Sequence, residues 1–274
     1  LPAVFRATIF FAAFIPTGSA SPATGRTAAF NPAKNIITAI TLGDSPVVCQ
    51  GATSADLPYT ELNGSPLPDE YTIDYDAAAE AAGFADVAYT ALPLSPIPLV
   101  VPSGAAPAVY NAAIRVRNAL NDESPAVAFT VTVVANPVVT LSSNLLPAAA
   151  FCGDTLSITI EVENGFTDLA ALQFSLSWNA AALIYIDYTA LNIGGGDPAI
   201  GDGNTVDGEL TYSWLDPAGF DGEDLADGTV LLTVRIKVLI NSGTAAVNLT
   251  GVPLPLEASN SAFCSAPVTA QNGA

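Results

Sequence analysis

The chain has 274 residues, with 26 acidic against 7 basic side chains, no histidine and three cysteines, and its mean hydropathy is +0.44. Too few cations are present to neutralise phosphates, which excludes nucleic acid as a partner, and the absence of histidine excludes Ser-His and Cys-His catalysis and imidazole-bound zinc. A membrane span needs roughly 18–20 uninterrupted apolar residues, and Arg6, Thr8 and Pro16 break the best stretch, so no span is expected.

Charge is divided along the chain. Residues 1–43 contain no acidic residue and carry Arg6, Arg26 and Lys34, a charge of +3, whereas the remainder holds all 26 acidic residues and four basic ones, a net −22. Within this basic arm lies FRATIFFAAFI. If extended, it projects Phe5, Ala7, Ile9, Phe11, Ala13 and Ile15 to one face, because side chains alternate along a strand. Such a row suits a sheet that lacks an edge strand, where it fills a groove and satisfies unpaired backbone groups together. At about 3.3 Å per residue the arm reaches up to roughly 140 Å. Residues 1–43 are therefore expected to be a hydrophobic arm donated as a strand to a neighbouring copy. Because arm and groove are different surfaces, that contact is head-to-tail and repeats into a fibre. Two other readings stay open. The arm can fold back as the first strand of its own sandwich, or it can be a secretory signal, with Arg6, an apolar stretch at 7–15 and small residues at Gly18, Ser19 and Ala20.

Residues 44–136 read as a first β domain. Tyr71, Ile73 and Tyr75 share one face, as do Tyr110, Ala112, Ile114 and Val116, and then Phe129, Val131 and Val133. Between the first two runs, DAAAEAAGF at 76–84 predicts a short helix capped by Asp76 and ended by Gly83. Proline-rich LPLSPIPLVVP at 92–102 cannot supply a regular ladder and is expected at an edge or crossover.

Pro137 marks a boundary, and residues 137–274 alternate more cleanly still. Leu156, Ile158, Ile160 and Val162 face one way, followed by Leu172, Phe174, Leu176 and Trp178, by Leu210, Tyr212 and Trp214, and by Val230, Leu232, Val234, Ile236 and Val238. The fold class is thus all-β, with two tandem β-sandwich domains behind an extended N-terminal arm.

Two resemblances follow from these segments. Residues 47–134, with VVCQGATSADLPYT, EYTIDYDAAAEAAGF and the closing FTVTVV, resemble the PKD-like Ig-type modules of large secreted bacterial surface proteins. Residues 150–257, with FCGDTLSITIEVENGFTDLAALQFSLSWNAAALIYID, GELTYSWLDP and DGTVLLTVRIKV, look like a cohesin-like β-sandwich. These likenesses imply an extracellular scaffold or adhesion protein and no enzyme.

Cys152 and Cys264 sit in similar FC(G/S) contexts, so a Cys152–Cys264 disulfide and an oxidising, extracellular location are expected, with Cys49 left over. Trp178 and Trp214 lie on apolar strand faces and read as core; Tyr185 and Tyr188 remain candidates for a sugar platform. No cofactor is expected beyond calcium, for which Asp197, Asp202 and Asp207 in one Gly-Asp loop and Asp221, Asp224 and Asp227 in another are the candidate ligands. Turns also favour Asp and Gly for backbone reasons alone. The expected function is the structural subunit of an extracellular filament at the cell surface, its partners being copies of itself together with other surface proteins or glycans. The alternative is a monomeric cohesin-like module that binds a protein or polysaccharide.

Overall fold

The alternating runs become strands because an extended chain can bury one side of each run and pair its backbone with neighbours. The computed structural model describes residues 38–146 and 150–272. The first group of strands is β1 (Ala39–Leu42), β2 (Val47–Cys49), β3 (Ser54–Leu57), β4 (Tyr59–Asn63), β5 (Pro68–Tyr75), β6 (Val87–Ala91), β7 (Ile97–Val100), β8 (Ala108–Asn118) and β9 (Val127–Val134), with helix α1 (Ala77–Ala81) between β5 and β6. The main sheet runs β2-β9-β8-β5-β6, and two ribbons, β1-β4 and β3-β7, complete the layers around a core that includes Leu57, Ile73, Ile97, Ile114 and Val131. Asp76 caps α1 by accepting a hydrogen bond from the Ala79 amide at 2.8 Å. The turn then places Phe84 between Tyr75 and Tyr110, at ring distances of 5.1 and 4.8 Å. The proline-rich stretch forms β7, which pairs only with β3, and an edge tolerates the missing N–H of Pro98.

The second group is β10 (Thr140–Leu146), β11 (Thr155–Asn164), β12 (Leu169–Trp178), β13 (Leu183–Ala190), β14 (Ala199–Gly201), β15 (Glu209–Leu215), β16 (Val230–Val238), β17 (Val247–Thr250), β18 (Glu257–Asn260), β19 (Ser265–Pro267) and β20 (Thr269–Asn272). One sheet runs β13-β16-β11-β10-β20; the other runs β14-β15-β12-β18-β19, with β17 also on β12. On one edge of β12, residues 169–173 pair with β18 and residues 175–178 with β17. Phe174 stacks on Tyr212 at 4.5 Å, and Trp214 packs against Phe166 at 5.8 Å, so both tryptophans of the chain, Trp178 and Trp214, belong to the core.

The two cores meet at a short junction between Val134 and Thr140. Gly165 sits there with φ +80°, and a Cβ on it would lie 1.8 Å from the Val138 carbonyl oxygen, so only glycine lets the connecting backbone pass. The Asn260 side-chain amide donates to the Ala135 carbonyl at 3.0 Å. Beside it a disulfide joins Cys49, at the end of β2, to Cys264, between β18 and β19.

This corrects the Cys152–Cys264 pairing expected from the similar sequence contexts. Cys152 is an exposed free thiol at the opposite end of the second sandwich, where its neighbour Gly153 bonds the Val238 carbonyl. Cys264 lies at the junction end, within reach of the first domain. Thiol titration of the native protein should therefore detect one reactive group, mapping to Cys152, and Cys264→Ser should cost about 2–5 kcal/mol of stability in urea unfolding, the usual consequence of removing a native disulfide. Labelling at Cys49 in the native state would contradict the assignment.

Burial, with smaller contributions from Tyr71 and Asp86, pushes the Tyr75 phenol up to about 12, and burial alone pushes Tyr212 up as well. Both groups stay protonated in the fold after the unfolded chain has begun to lose their protons at about pH 10. Their contribution is fully present below that pH and is lost as pH rises. Urea midpoints should accordingly be insensitive to these tyrosines at neutral pH and fall between about pH 10 and 12, less steeply in Tyr75→Phe.

Candidate protein-binding surfaces of the second sandwich

The inward alternation of β12 and β15 leaves an outward face of short side chains. Gln173, Ser175 and Ser177 on β12 lie directly across from Ser213, Thr211 and Glu209 on β15. Ser175 is fully buried because its hydroxyl accepts from the Leu254 amide at 2.9 Å and donates to the Leu254 carbonyl at 3.2 Å, which fastens the β17–β18 loop over the sheet. Next to Thr211, Gly201 on β14 has no room for a side chain: a Cβ there would meet the Thr211 hydroxyl at 2.3 Å. A shallow depression of about 170 Å³ results, lined by Gly201, Gly203, Asn204, Glu209, Thr211 and Pro253. Exposed Val206 and Val252 neighbour its lining residues in the chain.

The opposite sheet presents a different chemistry. Arg235 on β16 grips Asp187 on β13 with two hydrogen bonds, one from Nε at 2.6 Å, and the Arg235 guanidinium holds the Asp187 carboxyl below its ordinary range. Lys237 and exposed Ile184 lie across from each other on the same two strands. Tyr188 is exposed on β13, whereas Tyr185 packs against the core and its phenol is pushed up by burial and by Asp202.

A third feature was not visible in the alternation. Among the described residues, β20 pairs with β10 from Thr140 to Ser143. Along β10, burial follows this pairing: residues 140–143 are buried, whereas Asn144 and Leu145 are half-buried and Leu146 is exposed. Two adjoining cavities of about 320 and 280 Å³ lie between β10 and β17. Leu145, Leu156, Ile158, Val238 and Val247 form their walls, with Thr244 and Ala245 from the β16–β17 loop, and none of the lining residues is charged. Exposed Leu146, Phe151 and Leu239 directly adjoin lining residues in the chain.

The residues singled out earlier fare unevenly. Phe5, Ala7, Ile9, Phe11, Ala13 and Ile15 lie outside the described residues. The calcium candidates are dispersed: Asp197 accepts from Asn192 at 2.9 Å, Asp224 accepts from the Asp168 amide at 2.7 Å, Asp202 lies beside Tyr185, and Asp207 ends a short 3-10 helix. Asp221 and Asp227 join neither group. Among the described residues no three carboxylates or thiols converge as a metal site. Asp216, buried in the same loop, organises it by accepting from the Ala218 and Gly222 amides. No helix of the described residues is long and apolar enough to cross a membrane.

Residues 148–259 match the family model of the cohesin domain. The cohesin-like part of the chain is thus the second sandwich. Similar solved structures include the sixth cohesin of scaffoldin B from Acetivibrio cellulolyticus in complex with a Cel5 dockerin variant, at 19% identity and TM-score 0.41 over 50% of this chain and 96% of that one. Others are the cohesin of the Coh-OlpC–Doc435 complex from Clostridium thermocellum, at 12% and 0.42 over 50% and 92%, and the seventh ScaB cohesin of Pseudobacteroides cellulosolvens, at 17% and 0.40 over 49% and 89%. No curated protein matches the chain.

Calcium provides a direct check on the dispersed carboxylates. Adding EDTA or excess calcium should leave the melting temperature unchanged; a calcium-dependent rise would mean that the Gly-Asp loops do converge on an ion.

Proposed function

We propose that the protein is an extracellular, non-catalytic binding protein whose cohesin-like sandwich recognises a dockerin-bearing or dockerin-like protein through the outer face of β12 and β15, with the PKD-like first domain as its spacer. The match of residues 148–259 to the cohesin domain carries this reading. The partly exposed hydroxyl side chains Ser177, Thr211 and Ser213 support it further, because short side chains let a partner approach the sheet closely and lose little rotamer freedom on binding. The disulfide agrees with an oxidising compartment. Burial of both tryptophans removes the strongest sugar-stacking groups, which favours a protein over a polysaccharide partner.

Calorimetric titration of the full chain with a panel of purified dockerins tests this. At least one should bind, with affinity falling at least tenfold in Thr211→Arg and remaining unchanged in Arg235→Glu. Loss confined to Arg235→Glu would move the binding face to the other sheet, and no binding across the panel would overturn the reading.

A further inference from the structure

We propose that Phe220 and Phe263, at the junction end of the second sandwich, form a docking surface for an arginine-bearing segment of a partner protein. The inference goes beyond the cohesin-type reading and uses loops of the sandwich rather than the outer face of β12 and β15.

The backbone singles these residues out. Among the described residues, the non-glycine positions with positive φ are Asn121, Asp168, Phe220 and Phe263, and the last three meet at one place. The Phe263 amide donates to the Asn260 carbonyl at 2.9 Å and closes the β18–β19 turn with φ +61° at residue 263, where a hairpin ordinarily takes glycine. Phe220, at φ +72°, follows Gly219 in the β15–β16 loop. Asp168 fastens the two loops together. Its carbonyl accepts from the Ser261 amide at 3.0 Å, its amide donates to the Asp224 carboxylate at 2.7 Å, and its own carboxylate fills the place a Cβ on Gly222 would need. The two rings are thereby brought to 5.1 Å, tilted by 57°. A left-handed backbone is unfavourable for a bulky side chain, and burial does not offset it here, since Phe263 is 66% exposed. Strain kept at an exposed aromatic pair points to a use for the rings.

The surroundings select the partner. Asp221, Asp224 and Asp227 are exposed on the Phe220 loop, and residues 216–229 include no basic residue. The only cations of residues 137–274, Arg235 and Lys237, lie on β16 in the opposite sheet, where Arg235 is held by Asp187. An anion would be repelled at this place, whereas a cation is drawn both by the negative ring faces and by the carboxylates. Arginine suits it better than lysine, because a planar guanidinium stacks on an aromatic face while its edge donates to a carboxylate. Neither ring lines any of the three cavities described above. Small-molecule sites are concave, so a projecting pair fits a peptide segment laid across both loops rather than a free amine.

Calorimetric titration of the full chain with acetylated, amidated hexa-arginine tests the proposal. The peptide should bind, hexa-lysine should bind at least fivefold more weakly, and hexa-citrulline should not bind. The double variant Phe220→Gly, Phe263→Gly should lose at least tenfold in hexa-arginine affinity. Its net charge stays at −19, so general attraction of cations is the same in both proteins. Its melting temperature should equal or exceed that of the unaltered chain, because glycine accepts the left-handed backbone. If it melts early, Phe220→Asn with Phe263→Asn replaces it, asparagine tolerating the same conformation. Early melting of both variants would make the rings structural and overturn the proposal, as would equal affinity of the folded variant, equal binding of hexa-lysine, or no binding of hexa-arginine. Dockerin binding is read separately through Thr211→Arg, so failure here leaves the cohesin-type reading intact.

Discussion

Each strand edge must pair its amides and carbonyls or leave them to water, and in the second sandwich β20 meets this demand for residues 140–143 of β10. There the strand is buried, and the two sheets close over Leu141 and Val139.

The junction places a second constraint on the molecule. Gly165 against Val138, Asn260 on Ala135 and the Cys49–Cys264 bridge gather at one end of the second sandwich.

Much of this was legible in the residues. Runs such as 156–162, 172–178 and 210–214 placed their apolar members inside, because a two-residue period can serve only one buried face at a time. The helix at Ala77–Ala81 was legible from its Asp76 cap. Strands β17 to β20 were not, since each is only three or four residues long and the region is interrupted by Pro253, Pro255 and Pro267. The disulfide was misread for a related reason: likeness of local context carries no information about which end of a sandwich a cysteine occupies. The acidic loops looked like ligand sets, yet Asp197 accepts from Asn192, Asp224 accepts from the Asp168 amide, and no three carboxylates of the described residues converge.

The bridge between Cys49 and Cys264 also determines how the protein carries mechanical load. Tension applied between Thr38 and Asn272 travels from Thr38 to Cys49, crosses the sulfur atoms, and leaves from Cys264 to Asn272. Residues 50–263 hang outside this path as a closed loop, so stretching cannot unravel most of either sandwich while the covalent link is intact. Under reducing conditions the same pull would run through both domains in series, and the molecule would change from an inextensible tie to an extensible one.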